Sequence, residues 1–549
     1  MNNTSAQKNK EKSSKISNYA GLIVFLLTGI VFSIHFSPSL YYDDWNHFAY
    51  NFYKGTLPWF MPDFIRPLTY FPLRLETSLV GMNLPVLTVI HITLLALEAF
   101  LFYLLLEKLR LFPTILNALA ALLIIFSPMD MTRMWLLISP GMMICVLIYM
   151  LSLVHFIEKQ NWLVFVAGLI VGFVTLLYYE IQLGLMIIFP AALFLLTRIR
   201  QRKNEWWMLF PIFLGIDYLV FRMLGISMGG ASFHTSQSIT MIYILRQVRN
   251  ALLCLFNAWY LPVKTDIVIG LIAIWSTVFA VLFVAYQYVR SGFEKDVRSK
   301  FLKAACIFMS GIFIWLAGYI PWLAYGIPSI MDWFSSRAHN TAIPGTVICL
   351  CALLYFLAEI PRVSPSRKQG LMIALAIPFL LTGALSQTTL QYENKLLWND
   401  YRKMWNGFFA AVPNIKNDTH VVLVISPNPE KPRFGEREFL TSASFNVEIS
   451  RALNIFYANN TLEGEFMYKH MELPDTPVMT DHGIRNPPTY SGAIPYDEIL
   501  FIEFDRVSGK VKVIRDLRNE FGIPDPAYNA DRHIDNRPLD KPTLRYIVQ

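Results

Sequence analysis

A chain of 549 residues that is 54% hydrophobic and only 16% charged, with a mean hydropathy of +0.41, is too apolar for an ordinary soluble domain. Its formal charge of +8 is not gathered into basic runs interleaved with aromatic residues, so nucleic acid is set aside and the surplus is assigned to loops beside a membrane. The five cysteines (Cys145, Cys254, Cys306, Cys349 and Cys351) lie in or beside apolar stretches without metal-site spacing, which points to packing.

Residues 1–17 are polar, with Lys8, Lys10, Lys12 and Lys15 ahead of an apolar run at about 19–36. No small-x-small cleavage site follows, so the run reads as an uncleaved signal anchor behind a cytoplasmic N-terminal tail. Further spans are predicted at about 84–106, 112–128, 136–157, 161–179, 181–197, 206–226, 265–289, 301–321, 344–361 and 370–388. With the first they make about eleven segments long enough to cross roughly 30 Å of hydrocarbon. Basic residues gather in alternate connections, at Lys108 and Arg110, Lys159, Arg198 to Lys203, Arg290 to Lys303 and Arg362 to Lys368. That bias places those connections, and the N-terminus, in the cytoplasm.

Residues 238–262 are apolar but carry Arg246 and Arg249 near the middle. Two arginines at mid-bilayer are expensive, so this segment is expected to lie in the outer interface as an amphipathic helix. Within the spans, His91 and Glu98 share a helix face, and Asp217 and Arg222 lie in the seventh span. Interhelical hydrogen bonding is the expected use of such groups, a proton relay the sharper alternative.

An odd number of spans puts residues 391–549 outside. Here WNDYRKMWNGFFAAV (398–412) has the aromatic and basic mix of an interfacial helix, HVVLVIS (420–426) reads as a buried strand, and 441–457 as a helix. EILFIEFD (498–505) and KVKVIRDL (510–517) read as a hairpin through RVSG. The expected fold is thus an α-helical polytopic membrane protein with a small extracytoplasmic α/β domain at its C-terminus.

The chemistry is expected in the first outer loop, 39–83. YYDDW sets Asp43 and Asp44 side by side directly after the first span, where mutual repulsion favours proton retention by one of them and suits a general base. Arg66 follows in a proline-braced stretch, PDFIRPLTY, apt for holding a carboxylate or phosphate bidentately. The same loop adds Asp63, Arg74 and Glu76. Other outer loops bring Asp130 and Arg133, Tyr179 and Glu180, and Arg337 with His339 to the same face. Arg337 is informative because positive-inside bias disfavours an outer arginine, and phosphate recognition would need one.

In this order, the Asp43-Asp44 pair, Arg66-Pro67-Leu68, Tyr179-Glu180 and Arg337 resemble the GT-C superfamily of polytopic glycosyltransferases, in particular the protein O-mannosyltransferase-like branch and its bacterial relatives. The resemblance covers roughly residues 18–390. It implies a polyprenyl-phosphate-linked sugar as donor, transferred with inversion to an outer-face acceptor that is a cell-surface glycan, lipid or protein. It implies an aspartate base, with Asp43 slightly preferred over Asp44. Substrate binding falls to Arg66, Arg133, Tyr179, Glu180, Arg337 and His339, with Arg337 on the departing lipid phosphate. Some branches use a divalent metal, Mg or Mn, and others none; Asp43 and Asp44 are the residues that would hold it. The chain departs from the mannosyltransferases in having DD rather than DE, and in its C-terminal α/β domain, which favours a bacterial plasma membrane over eukaryotic protein mannosylation. The alternatives are a transporter or flippase of lipid-linked glycans, working through intramembrane groups, and a polysaccharide polymerase or ligase.

Overall fold

The computed structural model describes residues 19–38, 68, 71–130, 132–134, 136, 140–178, 182–190, 242–243, 245–250, 252–253, 267–291, 296–325, 339–426, 450, 452–454, 456–457, 461–468, 478–480, 482–485, 493–523 and 527–537. The predicted span at 206–226, with Asp217 and Arg222, lies outside these residues. So do the N-terminal tail and most of 238–262, of which 245–250 is helical.

The apolar runs fold as helices: α1 (Tyr19–Ser33), α2 (Phe71–Val80), α3 (Leu84–Leu109), α4 (Thr114–Phe126), α5 (Gly141–Lys159), α6 (Trp162–Tyr178), α7 (183–190), α8 (Ile267–Ser291), α9 (Val297–Tyr325), α10 (Ile343–Glu359) and α11 (Pro365–Ala411). Among the described residues five are long and apolar enough to cross a membrane: Leu84–Leu109, Gly141–Lys159, Val268–Arg290, Val297–Tyr319 and Pro365–Ala411. The α8 surface explains why water is a poor environment for this fold. Val268, Leu271, Trp275, Phe279 and Leu282 recur at helical spacing and are all more than half exposed, an apolar stripe that hydrocarbon solvates without penalty.

Local chemistry sets the helix ends. Asn83 caps α3, its side-chain oxygen accepting from the Val86 amide at 3.3 Å, and Pro85 occupies the first turn, where a missing N–H costs nothing. At the far end Arg110 takes the left-handed conformation, φ 51°, and returns its N–H to the Glu107 carbonyl. Gln160 ends α5 the same way, φ 54°, bonding the Phe156 carbonyl.

The helices share two recognisable ends. At one, Lys108 meets Glu158 at 2.9 Å, and Glu359 binds Lys300 at 3.0 Å and Lys368 at 2.8 Å. The Phe112 ring lies against Tyr355, which ties the two groups of charges to one level. These residues come from the connections that the basic bias groups together. The opposite end carries the C-terminal domain. Helices approach closely where side chains vanish: a Cβ on Gly383 of α11 would sit 2.6 Å from the Phe126 carbonyl oxygen of α4, so only glycine allows this crossing.

One expectation fails instructively. The last span at 370–388 and the interfacial helix at 398–412 are not separate elements; α11 runs unbroken for 47 residues, roughly 70 Å. The fall in hydropathy near residue 390 marks where the helix leaves the apolar bundle, and the next glycine, Gly407, does not come for another four turns. Inside α11, Pro378 removes one backbone donor; Thr382 bonds the Pro378 carbonyl at 2.7 Å through its hydroxyl.

The C-terminal half of α11 is the spine of the C-terminal domain. Trp398, Tyr401, Met404, Trp405 and Phe408 are buried in the same cluster as the sheet. Trp405 is fully enclosed and touches the rings of Tyr401, Phe408, Phe409 and Phe456. The sheet has the order β3 (Glu463–Tyr468), β2 (His420–Ser426), β7 (Ile499–Asp505), β8 (Lys510–Val513). β2 pairs in parallel with β3 and β7, whereas β7 and β8 form the expected antiparallel hairpin. Parallel central strands are covered on both faces, which is why HVVLVIS is an unbroken apolar run. β3 was not foreseen: EGEFMY has neither alternation nor an apolar run. Two small antiparallel groups complete the domain, β1 (Asn414–Ile415) with β9 (Ile534–Asp535), and β4 (Val478–Thr480), β5 (Gly483–Arg485) and β6 (Ala493–Ile494). Leu84 and Leu87 of α3 and Leu136 join this core, so the domain is seated on the helix bundle itself.

Candidate functional site

Two features occupy the domain end of the bundle, a buried polar cluster and, above it, a cavity. The cluster grows from the turn that follows α4. Asp130 accepts from the Thr132 amide at 2.9 Å and the Thr132 hydroxyl at 2.7 Å, a side-chain turn that reverses the chain. Its second oxygen accepts from Asn340 Nδ2 at 2.9 Å and faces Arg133 Nε at 3.5 Å. The Arg133 guanidinium reaches back to Glu98 at 3.1 Å and donates to the Ile124 carbonyl at 3.1 Å. Gln387 of α11 donates to the Ser127 carbonyl at 2.9 Å, so the open C-terminus of α4 is satisfied by two long side chains. His91 Nε2 lies 2.6 Å from the Arg133 carbonyl oxygen; since a carbonyl can only accept, this nitrogen carries the hydrogen.

Every charged group of this cluster is enclosed: Glu98 and Arg133 side chains are each 2% exposed and Asp130 is fully buried. Arg133, expected to bind substrate, thus has its guanidinium turned into the protein, clasping α3 to the α4–α5 connection. His339 is also fully buried, its Nδ1 2.6 Å from the Tyr319 hydroxyl of α9 and the two rings edge to face. Both residues hold the architecture of this end together. Asp43, Asp44, Arg66, Tyr179, Glu180 and Arg337 lie outside the described residues.

The cavity lies further along the same two helices. Gln387 is eight residues before Lys395 on α11 and His91 seven after Leu84 on α3, which puts the cavity roughly 10–12 Å above the cluster. It encloses about 610 Å³, within the range of small-molecule sites. Three segments wall it: Phe36, Ser37 and Pro38 leaving α1; Val80, Met82, Asn83, Leu84 and Pro85 between α2 and α3; and Lys395, Trp398, Asn399 and Arg402 on α11. The α1 exit is tied to α11, where Gln391 donates to the Val31 carbonyl at 3.4 Å and the His35 ring lies 5.2 Å from that of Tyr392.

Among the described residues the charged lining is of one sign. The described lining holds two cations, Lys395 and Arg402, and no carboxylate. Asp400, between them in sequence, is turned toward Arg506 of the C-terminal domain at 3.4 Å. The α3 N-terminus adds little attraction for an anion, because Asn83 satisfies the Val86 amide and Pro85 has none to offer. On α2, beside this wall, burial pushes the Glu76 carboxyl up to about 7, so it changes charge near neutral pH. Sequence reasoning passed over Lys395, Trp398 and Arg402. Their signal was the spacing i, i+3, i+7 within an uninterrupted helix, hidden once that helix was divided in two.

Among the described residues no three His, Cys, Asp or Glu side chains gather closely enough to hold a metal ion. Compared with known proteins, the chain matches no protein-family model, and no curated protein is detectably similar to it.

Proposed function

We propose that this protein is a membrane glycosyltransferase of the GT-C kind, with about eleven spans. It moves a sugar from a polyprenyl phosphate to an acceptor on the outer face of a bacterial plasma membrane. The observation that carries this reading is the cavity at the domain end, because one of its walls, Phe36 to Pro38, leads directly into YYDDW. Asp43 follows Pro38 by five residues, so the chain cannot carry it more than about 18 Å away. A carboxylate base, a cationic wall and a site beside hydrocarbon are what transfer from a lipid phosphate requires. One aspartate takes the proton of the acceptor hydroxyl, the oxygen forms its bond to the anomeric carbon from the face opposite the lipid, and the bond from that carbon to the phosphate oxygen breaks. In this scheme Arg66, Arg337, Glu180 and Tyr179 contact substrate, and Arg133 and His339 position the loops.

The transporter alternative draws on the buried Glu98, Arg133 and Asp130, since ionisable groups inside a bundle also serve translocation. Their mutual pairing is better suited to holding helices than to a moving load. Incubating the purified protein with a panel of polyprenyl-phosphate sugars and an acceptor extract separates the two. Transfer should be seen with one donor, and Asp43→Asn or Asp44→Asn should lower it by about 10²–10⁴-fold without loss of folded protein. Undiminished transfer in both single variants and in the double would overturn the assignment of the base.

A further inference from the structure

A second cavity lies inside the helix bundle. It encloses about 130 Å³ and is lined by α3 over 102–109, α5 over 143–150, α7 over 185–189 and α9 over 306–314. Seven or eight residues of helix rise about 10–12 Å, so the space is a slot along the bundle. Its described lining is apolar apart from Cys306 and Ser310, and Ser310 spends its hydroxyl on the Cys306 carbonyl of its own helix at 2.9 Å. A buried water needs several hydrogen bonds that these walls do not offer, whereas a dry cavity of about 150 Å³ takes up an apolar group the size of benzene. Cys306 is exposed as well as lining the slot, which opens it sideways beside α9 to surrounding hydrocarbon.

The end of the slot nearest the charged level of the bundle is built differently. Leu109 and Leu111 line it, and Arg110 stands between them in the left-handed turn that ends α3. Lys303 lies one turn before Cys306 and Ile307 on α9. Its Nζ is 4.9 Å from the centre of the Tyr355 ring, which also packs on Phe112, two residues beyond Arg110. Both cations are exposed, and neither is paired with a described carboxylate. The neighbouring acids are committed elsewhere: Glu158 to Lys108, Glu359 to Lys300 and Lys368, and Glu107 to Asn117 at 2.6 Å and Thr114 at 3.2 Å.

We propose that the slot and these two cations form a binding site for an anionic phospholipid of the leaflet at the charged end of the bundle. One acyl chain enters the slot beside α9, and the phosphate is held by Arg110 as a fork and Lys303 as a point cation. Basic pockets between membrane helices select anionic head groups in this way. A zwitterionic lipid brings the same chain, but its own ammonium competes with the two cations for the phosphate. The head group sits at the opposite end of the bundle from the 610 Å³ cavity, and the site is independent of sugar transfer. A bound chain joins α3, α5 and α9 across a gap that their own side chains leave open.

The test places the full-length protein in phosphatidylcholine nanodiscs containing a little phosphatidylglycerol with a diazirine on one acyl chain, followed by irradiation and peptide mapping. Crosslinks should fall on Met143, Leu147 and Met150, which line the slot and are buried beyond the reach of lipid that only coats the bundle. Arg110→Gln/Lys303→Gln should lower them about ten-fold while crosslinks to the exposed stripe of α8 stay unchanged, showing that the variant is folded and inserted. Arg110→Lys/Lys303→Arg, which keeps both charges, should stay within a few-fold of the parent. The same probe with a phosphocholine head group should label the slot weakly, and equally in the parent and the glutamine variant. Crosslinks confined to exposed surfaces such as the α8 stripe overturn the slot. Equal labelling of the slot by the two head groups, or by phosphatidylglycerol in the parent and the glutamine variant, overturns the role of the cations and with it the proposal.

Discussion

Replacing Arg133 by methionine separates two roles for one side chain. In the structure the guanidinium meets Glu98 at 3.1 Å, Asp130 at 3.5 Å and the Ile124 carbonyl at 3.1 Å, with both members of the Glu98 pair 2% exposed. Methionine fills most of the space of the aliphatic stem, so the loss comes from Glu98 left buried without its cation and from one orphaned carbonyl. Removing one member of a buried pair costs about 3–5 kcal/mol, and the carbonyl bond adds about 1 kcal/mol. Arg133→Met should therefore destabilise the protein by about 4 kcal/mol or more, whereas Glu98→Leu/Arg133→Met, which leaves neither charge of the pair, should recover about half of that. Unfolding in mixed micelles with increasing dodecyl sulfate, run on the parent, both single variants and the double, gives the coupling energy. If Arg133→Met unfolds with the parent but no longer uses substrate, the guanidinium serves the ligand and the structural argument is wrong.

Two further outcomes follow from other parts of the molecule. Trp405→Ala removes a fully enclosed indole at the junction of α11 and the sheet and should cost about 3–5 kcal/mol, seen as rapid protease cleavage in the C-terminal domain while the helix bundle survives; resistance equal to the parent would mean that the domain does not depend on α11. Glu76 has its carboxyl raised to about 7, so the folded state holds a proton that the unfolded chain releases near 4.5; the stability this gives is present at low pH and is lost as pH rises through about 7. Glu76→Gln should therefore flatten the dependence of melting temperature on pH between about 4.5 and 7, and an unchanged slope would refute the burial argument.

Much of the helical plan was legible because the length of an apolar run is a local property. HVVLVIS announced a buried strand, though not its parallel partners, and the RVSG hairpin formed where its turn residues stand. What could not be read was whatever depends on partners far apart in the chain. Glu98 and Arg133 are 35 residues apart, and Asn340 reaches Asp130 across 210, so Arg133 looked like an outer-loop cation ready for phosphate when it is consumed inside. β3 owes its existence to β2: Glu463 and Glu465 sit in register beside His420 and Val422, and nothing in EGEFMY alone calls for a strand. The unbroken α11 was missed because hydropathy reports the surroundings of a helix and not its continuity. That same error concealed the cationic stripe.

The continuity of α11 also has a mechanical consequence. The helix is anchored in the bundle as far as Gln391 and forms the core of the C-terminal domain from residue 398. No loop lies between them to absorb a rotation. A tilt of only 10° about Gln391 displaces the far end of the helix, some 30 Å away, by about 5 Å. Rearrangements where the bundle grips the helix therefore arrive in the C-terminal domain without being absorbed on the way, and force applied to that domain is returned to the cavity.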